Sequence, residues 1–349
     1  MADSKTMKAL VLHGIRDLRV ENWPKPKPGP GQVLVRVRAV GLCGSDVHYY
    51  THGRIGDQVV KKPMIVGHEG AGEVAALGAG VTGLKVGQRL ALEPANPCGH
   101  CEWCQAGRPN LCPTVKFCST PPHDGLMCEF AVLGAHQCLP IPDVVSWDEA
   151  AMLEPFQVGV HANNLVPVRP GQTVAVVGVG SIGLGCMEMA FVSGAGRIIV
   201  TDRFDYRLKL ARQLGATDTV NVDKTDPVET VMKLTGGRGA DVVFECTNRG
   251  AGTPQAYDLA AIGGRVCLVG IPEEDTITLD THRPRRKELS VQYVRRSRHA
   301  AKQAITLLET GAVDLESWVS HRVPLSKAAA AFDMVAEYKD KVLKAVILP

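Results

Sequence analysis

The chain has few aromatic residues, 5% of its 349 positions, no long uninterrupted apolar run, and almost no charge imbalance, +3 with the histidines neutral. The longest charge-free stretch near the middle, Pro170 to Met187, is broken by five glycines and does not read as a membrane span. So small a net charge gives no reason to expect a polyanionic partner. Repeats and low-complexity tracts are absent, and the balance of 45% hydrophobic and 21% charged residues with 36 Gly and 22 Pro excludes disorder, collagen and coiled coil. The N-terminal MADSKTMKALVLHG carries no apolar signal segment. Eleven cysteines, an odd number, cannot all pair, so reduced thiols in a cytoplasmic compartment are expected.

At roughly 150 residues per domain the length predicts about two domains, each with its own core. The first reads as β-rich and barrel-like. Val33, Val35 and Val37 alternate with Leu34, Arg36 and Arg38, behind a PKPKPGPG approach that suits neither helix nor central strand. Short runs at Gly72 to Leu77 and Arg89 to Glu93 continue the pattern. From Pro170 apolar strands alternate with helices: 173–178, 197–202, 218–222, 240–246, 264–270 and 289–294. This is the α/β pattern of a doubly wound parallel sheet covered on both faces. Asp205 to Ala216 shows helical periodicity with Gly215 as its stop. Beyond residue 297 the pattern predicts helices at Ala300 to Glu309 and Ser326 to Tyr338, with strands at His321 to Pro324 and in the final LKAVILP.

Gly178-Val-Gly180-Ser181-Ile182-Gly183 follows a buried strand and opens a helix. Glycines there permit a tight turn and close backbone approach, so that a pyrophosphate can rest on free N–H groups at the helix start. Asp202 ends the next strand, where a carboxylate accepts from an adenosine ribose and repels a 2′-phosphate, favouring NAD over NADP. Arg203 and Arg207 are the residues that could accommodate that phosphate instead.

Cys98, Cys101, Cys104 and Cys112 have the spacing C-x2-C-x2-C-x7-C in a loop with Gly99, Gly107 and Pro109. Four close thiolates suit a tetrahedral structural zinc. An iron–sulfur reading shares the C-x2-C-x2-C run and the proline after the last cysteine, but lacks the right final spacing and a second motif. Cys118, Cys128, Cys138, Cys186, Cys246 and Cys267 read as packing residues.

Three separated pieces carry ligand-type residues: Cys43-Gly-Ser45-Asp46-Val-His48, Gly67-His68-Glu69-Gly70 and Leu153-Glu154-Pro155. Together with GRIG at 53–56, VKKPMIVGHEGAG at 60–72, the four-cysteine loop, FCSTPPHDG at 117–125, LEPFQVGVHA at 153–162, GVGSIG and HRVPL at 321–325, they resemble the zinc-dependent medium-chain dehydrogenases. Within that family the chain is similar to the sorbitol (L-iditol), xylitol and L-arabinitol dehydrogenase branch, over essentially its whole length. The resemblance implies a GroES-like catalytic domain at 1–157 and 297–349 with a Rossmann-type NAD domain, 158–296, inserted into it. It implies two zinc ions per chain, NAD, a small polyol as substrate and a homotetramer. Cys43, His68 and Glu69 would hold the catalytic zinc, with Glu154 completing the shell or hydrogen-bonding its water. Asp46 would orient His68, and Ser45 and His48 would carry the alcohol proton outward. Gly178, Gly180, Ser181, Ile182, Gly183, Asp202, Arg203, Arg207 and Val269 would meet the cofactor, and Tyr49, Ile55, Phe117, Thr120 and Arg296 the polyol. The implied reaction oxidises a secondary alcohol to the ketose by hydride transfer to the nicotinamide.

The chain departs from the family pattern at 294–302, where Arg296 matches the family arginine but Ser297 stands in place of a tyrosine. Seven Lys or Arg lie between Arg283 and Arg298 against one Glu. A solvated edge is one reading of that stretch, and a preference for an acidic or phosphorylated polyol is another. Threonine or simple alcohol dehydrogenases are the alternative within the family. A non-enzymatic zinc module on nucleic acid is a poor fit, because Tyr293 alone could stack among the basic residues.

Overall fold

The alternation at 33–38 becomes one long strand, Gln32–Gly41, in a computed structural model of the chain that describes residues 5–349. Val33, Val35 and Val37 point inward, while Arg36 and Arg38 stay exposed beside Glu73. The strand pairs antiparallel with Glu69–Leu77, Phe130–Gly134 and, near its end, Lys344–Leu348. It is thus the hub of a seven-stranded sheet. A three-stranded sheet of Thr6–Gly14, Asp17–Pro24 and Met64–Ile65 belongs to the same unit. Leu10, Leu12, Leu90 and Leu126 are almost wholly buried in its core, each worth roughly 1.5–3 kcal/mol relative to exposure.

The second unit holds six parallel strands in the order Asp218–Asn221, Arg197–Asp202, Thr173–Val177, Ala240–Glu245, Ala260–Leu268 and Ser290–Tyr293. The order reverses on either side of Thr173–Val177, which places a switch point at the carboxyl end of that strand. Its inner strands are buried as continuous apolar runs demand. The last strand differs, with all four residues of Ser290–Tyr293 exposed, because it is an edge with one neighbour. Helix Asp205–Gln213 ends just before Gly215, whose φ of 114° stops it.

The two units comprise residues 1–154 with 315–349, and residues 155–314. The boundary expected at 296/297 therefore falls eighteen residues later, and the one expected at 157/158 falls within helix Trp147–Leu165 at 154/155. The later shift has a physical cause. Helix Ala301–Glu309 buries Ala304 and Leu308, and the Asp314 amide donates to Glu188 of helix Ser181–Val192 at 2.9 Å, binding this segment to the second unit. Among the described residues no helix is long and apolar enough to cross a membrane.

Candidate active site

Gly41 ends the hub strand, and two residues later Cys43 caps helix Gly44–His52. On the neighbouring strand, Glu69 pairs with Gly41, with His68 just before it. The end of one strand and the start of the other converge. Ligand atoms of Cys43, His68 and Glu69 all lie within 4.8 Å of one another, with His68 6% and Glu69 1% exposed. Gly41 makes the room: a Cβ there would meet Glu69 Oε2 at 2.1 Å and Met152 Cε at 2.7 Å. Gly67 adopts a φ of 91°, and a side chain on it would strike Met127 at 2.6 Å.

Buried charge surrounds this group. Lys344, 3% exposed, donates to Glu69 Oε1 at 2.6 Å and to the Leu42 carbonyl at 3.2 Å. Burial alone would push its amine down, but Glu69, Cys43 and Glu154 hold it above its ordinary value. Asp46, fully buried, faces His68 Nδ1 at 3.5 Å and accepts from the Gly67 amide at 3.1 Å and the Cys43 amide at 3.3 Å. In the metal-free chain burial opposes a charge on His68, yet Asp46 and Cys43 raise it well above the usual imidazole range. The buried anions thus call for more positive charge than Lys344 supplies. Together with a thiol, an imidazole and a carboxylate, this suits a divalent zinc.

Glu154 lies outside the three-residue group. In the metal-free chain burial, with Glu69 and Glu93 nearby, pushes its carboxyl up to about 8. Ser45 donates to Cys43 Sγ at 3.3 Å, and His48 lies one helical turn further on, half-buried. Phe117 packs beside His68 with ring centroids 5.4 Å apart. Tyr49 is buried and donates to Gln58 at 3.2 Å, while Ile55 and Thr120 are half-buried. Arg296 belongs to the second unit, in a left-handed conformation with φ 55°. Lys344, Ser119 and Gly41 were not legible as site residues. The available signal was a lysine opening the otherwise apolar run LKAVILP.

The four-cysteine group gathers around the short helix Glu102–Gln105, with all four sulfurs within 4.8 Å. Backbone amides of Cys98 and Cys101 point at Cys112 and Cys98 sulfurs, each at 3.4 Å. Of residues 98–112 only Asn110 and Cys112 are buried. Such a loop suits a metal clamp, because it has little core of its own.

In the second unit Gly178 has φ 83° and lies against Thr247, and a Cβ on Gly183 would meet the Gly178 carbonyl at 1.9 Å. Gly180 caps helix Ser181–Val192, so Ser181 and Ile182 form its first turn with unpaired N–H groups toward any bound anion. Asp202 accepts from the amides of Val179 at 2.9 Å and Phe204 at 3.0 Å. Arg207 lies 3.8 Å from Asp202 and 5.0 Å over the Phe204 ring, whereas Arg203 turns outward to Asp223 at 3.4 Å. Val269, buried, donates to the Glu245 carbonyl at 2.8 Å. Within the basic stretch, Arg283 pairs with Asp258 at 2.7 Å and Lys287 is spent on the carbonyls of Tyr257, Asp258 and Ala260.

Residues 29–143 match the alcohol dehydrogenase GroES-like domain, and residues 181–310 match the zinc-binding dehydrogenase domain. The chain is 39% identical to the sorbitol dehydrogenase of Bacillus subtilis (strain 168) over 345 residues, 99% of this chain and 98% of the relative. It is 41% identical to the sorbitol dehydrogenase of Homo sapiens over 327 residues, 93% of this chain and 91% of the relative. A solved structure described as a zinc-binding dehydrogenase from Sinorhizobium meliloti 1021, bound to NADP, superposes with a TM-score of 0.91 at 30% identity, covering 99% of this chain and 100% of the other. The chain belongs to the zinc-dependent medium-chain dehydrogenases, in the branch that contains the sorbitol dehydrogenases.

Proposed function

We propose that this protein oxidises a secondary hydroxyl of a small polyol to the ketose, with NAD as hydride acceptor and two zinc ions per chain. The observation that carries the reading is the convergence of Cys43, His68 and Glu69 within 4.8 Å in a buried, anion-rich setting. Zinc held there supplies a Lewis acid that eases deprotonation of an alcohol, and the nicotinamide supplies the hydride acceptor. The chain's own residues do the remaining work. Asp46 fixes the ring of His68, and Lys344 holds the Glu69 carboxylate against the sheet. Ser45 and His48, three residues apart on one helix, share a face along which a proton can pass from the buried end outward. Glu154, a buried carboxyl close to Glu69, is proposed to complete the zinc shell or to hydrogen-bond the water held there. Tyr49, Ile55, Phe117 and Thr120 are proposed to line the polyol site.

The second zinc is proposed for Cys98, Cys101, Cys104 and Cys112, as a structural ion. NAD is favoured over NADP because Asp202 sits at the end of strand Arg197–Asp202 and Arg203 turns away toward Asp223. Eleven unpaired cysteines support a reducing, cytoplasmic setting. We propose a homotetramer, to be checked by sedimentation.

The deciding experiment is an NAD and NADP reduction screen over xylitol, sorbitol, L-arabinitol, galactitol, threonine and ethanol, with zinc counted per chain. Polyol-dependent NAD reduction with two zinc ions supports the reading, and turnover confined to threonine or ethanol overturns it. A sugar acid and a sugar phosphate belong in the same screen, since the basic stretch favours an acidic polyol as second reading. Engagement of Arg283 and Lys287 within the fold weakens that alternative.

A further inference from the structure

We infer that Ser119 is a positioning residue for His68, acting through the Asp46 carboxylate and the Gly67 amide. The inference rests on the reading that Cys43, His68 and Glu69 hold zinc. Ser119 is 2% exposed and has a φ of 58°. A non-glycine residue persists in that left-handed region only where its surroundings over-determine it. Here the backbone of the loop and the serine hydroxyl are both tied. Ser119 Oγ donates to Asp46 Oδ1 at 2.6 Å and accepts from the Gly67 amide at 2.9 Å. The same amide lies 3.1 Å from Asp46 Oδ1. Serine, carboxylate and the peptide just before His68 therefore form a closed triangle.

The triangle sets how Asp46 is turned. With Oδ1 taken by Ser119 and Gly67, Oδ2 is left toward the Cys43 amide at 3.3 Å and His68 Nδ1 at 3.5 Å. The carboxylate thus reaches both metal-ligand residues 43 and 68 through one oxygen while the other is pinned. Because the Gly67 N–H can only donate and the Asp46 carboxylate can only accept, the single hydroxyl proton goes to Asp46. The loop has ties besides the hydroxyl. The Ser119 amide donates to the Asp124 carbonyl at 3.4 Å, Asp124 Oδ1 accepts from the Ile65 amide at 2.9 Å, and the Leu126 amide donates to the Gly67 carbonyl at 2.8 Å. Ser119 also lies between Phe117 and Thr120, the two residues of that loop proposed to face the substrate.

The test uses the full chain as S119A and S119G, with H68A as the marker for loss of the site. Zinc affinity is read by competition with a chromophoric chelator, and ligand geometry by the absorption bands of the cobalt-substituted protein. The expected result is that both serine variants bind the ion lost in H68A about tenfold more weakly, with altered cobalt bands, while the second ion is held as in the parent. S119G relieves the left-handed strain while lacking the same hydroxyl, so it serves if S119A does not fold. Affinity within twofold of the parent and an unchanged cobalt spectrum, even with a lowered melting temperature, would overturn the inference. A parent that binds no more metal than H68A would overturn the zinc reading itself and this inference with it.

Discussion

Two groups of side chains that could each hold a metal ion, both in one unit, are built in opposite ways. Cys43, His68 and Glu69 come from a helix cap and the start of one strand of a sheet, lie mostly buried, and are hedged by Asp46, Ser119 and Lys344. Cys98, Cys101, Cys104 and Cys112 come from one loop of fifteen residues, of which two are buried, with backbone amides as their main company. The first group is held by the fold, and an ion there adds chemistry to a scaffold that already exists. The second has almost no apolar surface to organise it, so an ion there supplies the organisation. On the proposed reading, whether the surrounding residues are preformed decides if such ligand atoms serve reactivity or architecture.

The largest expected effect separates the two roles outright. His68→Ala should leave one zinc per chain by elemental analysis and lower turnover by about a thousandfold or more, with NAD binding by fluorescence titration little changed. Full turnover would sink the assignment of the buried group as the reactive one. Next is Lys344→Met, which strands Glu69 in the sheet without its cation. Breaking a buried pair from one side should cost about 3 kcal/mol in urea unfolding, much of it recovered in the Glu69→Gln/Lys344→Met double variant. A loss below about 1 kcal/mol would show that the buried group is less tightly preformed than the comparison requires.

Cys104→Ser should act on architecture alone. The loop ion is lost, the melting temperature falls by about 5 °C, a protease cuts near residues 99–108, and the KM for polyol holds. A fall in kcat at a temperature where the variant stays folded would break the distinction. The smallest effect concerns pH in the metal-free protein. Amides of His100 and Cys101 pull the Cys98 thiol down to about 6, whereas burial pushes Cys104 up to about 12 and Cys118, elsewhere in the unit, also to about 12. Cys98 is then mostly thiolate at pH 7, so its alkylation rate should rise little from pH 7 to 8 and fall about tenfold per unit below pH 6. Peptide mapping of the labelled thiols checks this order, and Cys118 reacting first would contradict it.

What could be read from the sequence was whatever lies close together along the chain. GVGSIG after a strand, the four-cysteine spacing and the six alternating strands are local patterns, and the α/β class followed from them. The ligand-type pieces around Cys43, His68 and Glu154 were weak singly and gained weight only in combination with those patterns, as a family resemblance, because no spacing relates residues that a sheet brings together. Lys344 lies 275 residues from Glu69, and Ser119 lies 73 from Asp46. Neither contact leaves a periodic trace. The boundary at 314/315 was missed for a related reason: the pattern of Ala301–Glu309 announces a helix with one apolar face but not the core that face enters.

The late position of Lys344 also sets a timetable. Glu69 leaves the ribosome with its whole strand, yet its cation and the strand that carries it follow only after 275 more residues, roughly 15–55 s later at 5–20 residues per second. Until then the hub strand has a bare edge at Val40 and Gly41, the positions that pair with Ile347 and Val346. The buried ligand group is therefore finished after synthesis of nearly the whole chain, whereas the fifteen residues of the cysteine loop can gather while most of the protein is still unmade.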